Sequence, residues 1–234
     1  MDRWRLARLQ MRVKQVTSAL ESMLTRAACD EAFYKVWSDW RWYSRRRSDN
    51  GFSSAAREFF MNWVKILSPF APFTCEEAWS RLGEKGFVST SGWPVSDESK
   101  IEAGVDVAEL YISKVVDDTR SILKLLRSEP KAINLYTTSP WKRDVAKIVL
   151  VKGVRDLLGD MGPAIREAVK ANPERKKEVA GMVKRVLEVF SELPTDRNTK
   201  EWVDLCNREA EVMRGAAAFL SREFNCKILV SAED

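Results

Sequence analysis

A chain of 234 residues with 45% hydrophobic and 31% charged side chains has an ordinary globular composition, long enough for one large or two modest domains. It contains no histidine, which excludes Ser-His and Cys-His nucleophile pairs, His-ligated metals and the commonest general base, and no apolar run approaches the roughly 20 residues of a membrane span. The net charge of +5 is uneven: residues 1–50 hold eleven Lys/Arg against six Asp/Glu and residues 141–185 twelve against six, while the remainder is acidic.

The chain opens on an amphipathic helix. After Asp2 as N-cap, Leu6, Leu9, Val13, Val16, Leu20 and Met23 recur at alternating spacings of 3 and 4, the seam of a helical bundle. This start lacks the apolar region of a signal peptide, so a cytoplasmic chain with no membrane partner is expected. A break at Thr25 or Cys29 leads into a second helix with Phe33, Val36, Trp40 and Tyr43 on one stripe. It closes on Arg45-Arg46-Arg47, cations suited to the negative end of a helix dipole. Ser48-Asp49-Asn50-Gly51 is turn chemistry. A third helix from about Ser53 buries Phe59, Phe60, Trp63, Val64 and Leu67 and runs into the string Leu-Ser-Pro-Phe-Ala-Pro-Phe-Thr-Cys-Glu-Glu-Ala-Trp at 67–79. Pro69 and Pro72 fix two φ angles and push Ser68 and Ala71 out of helical geometry. Thr74, with Glu77 three residues on, reads as a capping box that restarts the helix, which stops near Gly83. Residues 84–103, with Gly92-Trp93-Pro94, read as an ordered polar loop.

A long helix follows from about Val105 to Arg127, with Val107, Leu110, Val115, Ile122 and Leu126 apolar. The period then changes. Residues 132–137 alternate and carry β-formers, so they read as a strand. Ser139-Pro140 opens a helix through about Leu150, and Asn172-Pro173 opens another that ends near Leu193-Pro194. A last helix spans Thr199–Phe224 and Lys227–Val230 reads as a second strand. The expected fold class is mainly α: a helical bundle over 1–130 that includes the long helix, then a small α/β domain over 131–234 with at least two strands. Two strands alone are marginal, so helices must cover them or further strands must follow Asp234.

Catalytic signatures are missing. No G-x-x-x-x-G-K-[ST], no G-x-G-x-x-G after a strand, no G-x-S-x-G and no clustered metal ligands occur, and the four cysteines form no Cys-x-x-Cys pair and are expected as free thiols. Glu76-Glu77 suit helix capping and the dipole, and Asp117-Asp118 sit on an amphipathic helix facing solvent. The charge pattern points instead to binding. Trp40-Arg41-Trp42-Tyr43-Ser44-Arg45-Arg46-Arg47 interleaves aromatics with arginines; Trp40 and Tyr43 are expected in the core, while Arg41 and Arg45 share a face. Arg5, Arg8 and Arg12 with Lys14 are expected on the exposed side of the first helix. Such surfaces grip successive phosphates, with arginine forks bidentate on their oxygens. A second basic block joins Trp141-Lys142-Arg143 to Arg175-Lys176-Lys177 and Lys184-Arg185. The competing readings are a solvated helix face and a protein-docking module that uses exposed aromatic faces.

Leu67–Trp79 followed by Trp93-Pro94 resembles the segment that ends the anticodon-binding bundle of class I aminoacyl-tRNA synthetases for leucine, isoleucine and valine. Phe73 stands where many relatives carry histidine. Further segments resemble the C-terminal part of archaeal/eukaryotic-type leucyl-tRNA synthetases across nearly the whole chain: Asp2-Arg3-Trp4 with the leucine seam, Thr25-Arg26 into Ala32-Phe33-Tyr34, Arg41-Trp42-Tyr43, Glu109-Leu110-Tyr111-Ile112, and Tyr136 through Trp141-Lys142. The resemblance implies tRNA binding without chemistry. The H-I-G-H and K-M-S-K-S signatures are absent, so this chain alone is expected to be inactive. The implied partners are leucine tRNA and a catalytic domain or subunit of the same synthetase. No cofactor is expected in this chain, since ATP and Mg would bind that catalytic domain. The tRNA-binding candidates are Arg5, Arg8, Arg12, Lys14, Arg41, Arg45, Arg46, Arg47, Lys142, Arg143, Lys176, Lys177 and Lys184. In archaeal relatives a C-terminal tail helps recognise the long variable arm; this sequence stops at Ser231-Ala232-Glu233-Asp234, so only general docking carries over.

Overall fold

A computed structural model describes residues 1–47, 54–101, 103–126, 130–153, 162–191 and 199–232. The expected turn at 48–51, the helix start at Ser53 and the helix ends at Arg127 and Leu193-Pro194 lie outside the described residues. The chain divides into two compact units, Met1–Glu102 and Ala103–Asp234.

In unit 1, α1 (Asp2–Glu21) turns into α2 (Thr25–Cys29), which continues through a π-helical turn (Asp30–Lys35) into α3 (Val36–Arg46). Helices α4 (Ser54–Leu67) and α5 (Pro72–Arg81) follow. Leu9, Val13 and Val16 of α1 are buried with Ala28, Ala32, Val36, Phe59 and Ile66, and Trp40, Phe60, Trp63 and Leu67 pack half-buried around them. Withdrawing a side chain such as Leu9 or Phe59 from water is worth about 1.5–3 kcal/mol, which makes this seam the main source of unit 1 stability.

Three expectations shift. Asp2 is the first helical residue rather than the N-cap, and its carboxylate accepts from Arg5 and Tyr43. Met23 leaves the seam: it is 84% exposed with φ +59, in a turn closed by Leu24 N donating to Ala19 O at 2.8 Å. Phe33 is 44% exposed because the small residues Ala28 and Ala32, one position off the expected stripe, take the buried face.

The proline corner also starts differently. Helix α5 begins at Pro72, the first-turn position where a missing N–H costs nothing, and Ala71 before it has φ −139 and ψ 62. Thr74 therefore lies inside the first turn, and no side chain caps this helix. Gly83, at φ +79, ends α5, with Gly83 N donating to Ser80 O and Glu84 N to Trp79 O. Cys75 and Trp79 pack α5 on Val64 and Val88. The Glu76 carboxylate accepts from Val88 N (2.9 Å), Ser89 N (3.3 Å) and Ser89 Oγ (3.2 Å), fixing the return of the loop. That loop then runs along α1: Trp93 Nε1 donates to Thr17 Oγ1 at 2.8 Å, Ser96 Oγ to Gln10 O at 3.0 Å and Asp97 N to Gln10 Oε1 at 2.8 Å.

Unit 2 holds α6 (Ala103–Leu123), β1 (Ala132–Thr137), α7 (Pro140–Gly153), α8 (Gly162–Ala171), α9 (Lys176–Ser191), α10 (Thr199–Phe224) and β2 (Lys227–Ala232). By its packing the long helix groups with the second unit. Its buried line is Val107, Glu109, Ile112, Val116 and Thr119, while Ile122 and Leu126 are 61% and 51% exposed. A face containing a glutamate and a threonine is not visible as an apolar stripe. Helices α6 and α10 run in the same direction, joined by Tyr111–Glu209 and Arg120–Glu223, and each leads into a strand. The strands pair in parallel from Ala132↔Lys227 to Thr137↔Ala232, as the intervening helical crossover requires. Val145 and Val149 of α7 meet Ala168 of α8 and Val179, Val183 and Val186 of α9 in a separate core cluster.

Met23→Gly relieves a left-handed backbone position and is expected to raise stability by about 1 kcal/mol, read from the denaturant midpoint. Burial, reinforced by the neighbouring Glu76 carboxylate, pushes the Cys75 thiol up to about 11 from an ordinary 9.0. Its contribution to stability is therefore complete below pH 9 and lost between about 9 and 11. The Cys75→Ala protein is expected to show a flatter alkaline limb in a stability–pH titration.

Candidate nucleic-acid interface

The arginines of α1 point inward. Asp39 of α3 accepts from Arg12 Nε at 2.8 Å and Nη2 at 3.3 Å, and from Arg8 Nε at 3.2 Å and Nη2 at 3.1 Å. Arg12 Nη1 further reaches Glu31 at 2.7 Å and Gln15 at 3.0 Å. Burial alone pulls the Arg12 guanidinium down, but Asp39 and Glu31 outweigh it and the net shift is upward. Arg5 is fully buried, bonded to Asp2 at 3.2 Å and set 4.2 Å from the Tyr43 ring centroid, with Trp40 and Phe59 at 5.8 and 5.7 Å. Burial lowers its pKa, against the pull of Tyr43 and Asp2. Arg5, Arg8 and Arg12 thus hold the bundle together, correcting their expected place on the exposed side of the first helix. Their carboxylate partners lie 19 to 31 residues away in sequence, or in Asp2 at the very start, and so do not show in a local pattern. Lys14 is exposed and pairs with Glu98 of the returning loop.

The end of α3 keeps its cations outside. Arg41 and Arg45 are exposed, and the Arg45 guanidinium lies 5.3 Å from the Trp42 ring centroid. Arg46 and Arg47 are half-buried, and Arg47 Nη1 donates to the Tyr43 hydroxyl at 2.6 Å. Tyr43 is buried as expected, and Trp40 half-buried against Phe59 and Phe60. A second group forms within unit 2 around Trp141, with Lys142 Nζ 5.8 Å and Arg175 5.1 Å from its ring. Arg143 donates to Thr138 O at 3.3 Å. Lys176 and Lys177 are exposed next to Arg175, and Lys184 is exposed two turns further along α9, 3.8 Å from Glu188. Trp141 brings Lys142 of α7 close to Arg175, which immediately precedes α9.

Other constellations are structural. A cleft of about 360 Å³ lies at the proline corner, lined by Lys65, Pro69, Pro72, Glu76 and Trp93 among others, but Glu76 is committed to backbone and hydroxyl donors. Among the described residues no group of three His, Cys, Asp or Glu side chains could hold a metal, and no helix is long and apolar enough to cross a membrane.

The sequence matches the family described as the anticodon-binding domain of tRNA ligase over residues 2–136. The chain belongs to that family. The matched span covers unit 1 and continues through α6 into β1. Leucine–tRNA ligases from archaea are similar over the full chain. That of Methanothrix thermoacetophila is 34% identical over 236 residues, covering 100% of this chain and 23% of its own length. That of Pyrococcus horikoshii is 34% identical, covering 98% and 23%, and that of Aeropyrum pernix 33% identical, covering 100% and 23%. The chain therefore spans about a quarter of the length of the curated relatives it matches.

Asp39→Asn in this domain leaves two guanidinium groups without their shared carboxylate and is expected to cost about 3 kcal/mol or more. Arg41→Gln and Arg45→Gln, on the exposed face, are expected to change stability by less than about 0.5 kcal/mol. Urea unfolding of the three variants checks both statements.

Proposed function

We propose that this chain is the tRNA-binding, non-catalytic portion of a leucine–tRNA ligase, holding leucine tRNA in register for aminoacylation by a catalytic part outside this sequence. The observation that carries the reading is the exposed arginine end of α3 in an anticodon-binding bundle, where Arg41 and Arg45 face solvent. Lys142 and Arg175 at Trp141 supply a second contact region. RNA duplexes are recognised mainly through phosphates, sugars and shape, and cations without base-reading geometry suit that task. The ATP and magnesium used in ligation are assigned to the catalytic part, and the setting is cytoplasmic translation.

A second reading, a module that docks the catalytic part or other synthetase components, is favoured by the apolar side chains Phe73, Phe87 and Val95, which are 90%, 66% and 88% exposed. Pull-down with and without RNase separates the two, since a partner lost on digestion was bridged by RNA.

For the tRNA reading, a filter-binding titration with leucine tRNA is expected to give a log K against log salt slope of roughly −3, as three to four phosphate contacts would produce. A flat salt dependence, or binding no tighter than that of an acidic control protein, rejects it.

A further inference from the structure

Two residues, Thr138 and Ser139, join β1 to α7, and they decide the direction in which α7 leaves the sheet. Pro140 fixes its own φ and biases Ser139 toward extended backbone, and Ser139 is buried. Thr137 before them is also buried and stays in the ladder opposite Ala232. The torsions of Thr138 are therefore the main freedom left in this connection.

Thr138 is held from both sides. Its N–H donates to Glu209 Oε2 at 3.0 Å and its hydroxyl to Glu209 Oε1 at 3.1 Å. Its carbonyl accepts from Arg143 Nη2 at 3.3 Å. The Glu209 carboxylate is itself oriented, because the Tyr111 hydroxyl of α6 donates to Oε1 at 2.6 Å. Burial and that carboxylate push the Tyr111 hydroxyl up from its ordinary pKa, so it remains a donor. One carboxylate thus ties α6 and α10 to the first turn of α7, which carries Trp141, Lys142 and Arg143. Its charge runs against its surroundings. Burial raises the Cys206 thiol most, Glu209 adds to the rise, and Lys147 and Arg143 oppose it, so a carboxylate and two cations lie close to one turn of α10. A carboxylate beside such cations repels a polyanion, and charge alone would favour its absence. Its hydrogen bonds to Thr138 account for its presence.

We infer that Glu209 is a positioning residue for the second contact region: through Thr138 it aims the first turn of α7, and with it Lys142 at the Trp141 ring, toward a bound polyanion. The inference rests on the tRNA-binding reading and adds to it the residue that sets the geometry of one of its surfaces. Glu209 acts through Thr138 and touches no phosphate. Lys142 Nζ and the Arg175 guanidinium stand 5.8 and 5.1 Å from the Trp141 ring centroid. A small rotation at Thr138 carries Trp141 and Lys142 with α7 and leaves Arg175, beyond α8, where it was. Without the carboxylate the two cations no longer hold one spacing, and a spacing is what successive phosphates require.

The test uses the full chain, a leucine tRNA transcript and fluorescence anisotropy across a salt series, with circular dichroism on each variant. Glu209→Gln removes one negative charge, so charge alone would tighten tRNA binding. Loss of positioning is expected to weaken it about tenfold instead, and to reduce the magnitude of the salt slope by about one. Lys142→Gln alone is expected to reduce the slope by about one, and to change little when added to Glu209→Gln, because the two act through one contact. Thr138→Val is expected to lose affinity in the same direction, and Thr138→Ser, which keeps the hydroxyl, to bind as wild type does. If Glu209→Gln binds as tightly as wild type or more tightly, or if its loss simply adds to that of Lys142→Gln, the positioning role is overturned and the tRNA reading stands. If Glu209→Gln loses helical signal, the Thr138 pair decides: a loss with Thr138→Val that Thr138→Ser restores supports the role, and equal affinity overturns it. If wild type shows no salt-dependent tRNA binding, both fall.

Discussion

The Asp39 carboxylate, held by both Arg8 and Arg12, sets much of the geometry of unit 1. An ion pair this deep in the bundle is no assured gain in free energy, because each charge must shed its water before the attraction counts. Its stronger effect is directional. With Asp39 drawn toward α1, Val36 and Tyr43 of the same helix also face inward, and the helix cannot rotate without pulling Asp39 away from both Arg8 and Arg12. The outer line of Phe33, Trp37, Arg41 and Arg45 is the geometric complement of that choice. The pairing that holds the bundle therefore also decides which side chains reach solvent.

A related constraint operates where α1 begins and α3 ends. Arg5 places its charge on the Tyr43 ring while Asp2 bonds both residues, and Arg47 closes the set through the Tyr43 hydroxyl. Aromatic faces attract a cation through their quadrupole, and that attraction grows when water is excluded. The same chemistry at Arg45 over Trp42, in the open, orders a guanidinium without burying it. One sequence motif of alternating aromatics and arginines thus yields a core node at Tyr43 and an exposed cation two residues later.

Much of this was legible in the sequence and part of it was not, for physical reasons that differ by element. The first strand at 132–137 and the helix opened at Pro140 occur as the pattern predicts, because period-two alternation and a proline-marked helix start are local signals. The three arginines of α1 misled because charge is read as exposure, and only the fold brings Asp39 and Glu31 to them. Phe33 misled for the converse reason: size suggests burial, yet the close approach of α1 selects Ala28 and Ala32. In α6, Glu109 and Thr119 occupy the buried face, so the apolar residues at 122 and 126 looked like its continuation when they are exposed. At the proline corner, Pro72 at the first helical position makes a capping side chain unnecessary, and Thr74 lost the role its spacing suggested. The cations at 41, 45, 176, 177 and 184 lie on the surface, as their charge suggested.

The count of basic residues is therefore a poor guide to where a polyanion can bind. Of the eleven lysines and arginines in the first 50 residues, Arg5, Arg8 and Arg12 are drawn into the bundle and Lys14 and Lys35 are paired with carboxylates. Folding thins the excess in this stretch, and Arg41 and Arg45 stay exposed at the end of α3. Binding by counterion release depends on how many phosphates a surface can reach together, so a few clustered cations outweigh a larger number dispersed or internally paired. In unit 2 Trp141 collects Lys142 and Arg175 from separate helical segments, and Arg175 also pairs with Glu178. In both units an aromatic side chain orients a guanidinium or ammonium group that would otherwise sample many rotamers, and the entropy lost on gripping a phosphate is correspondingly smaller.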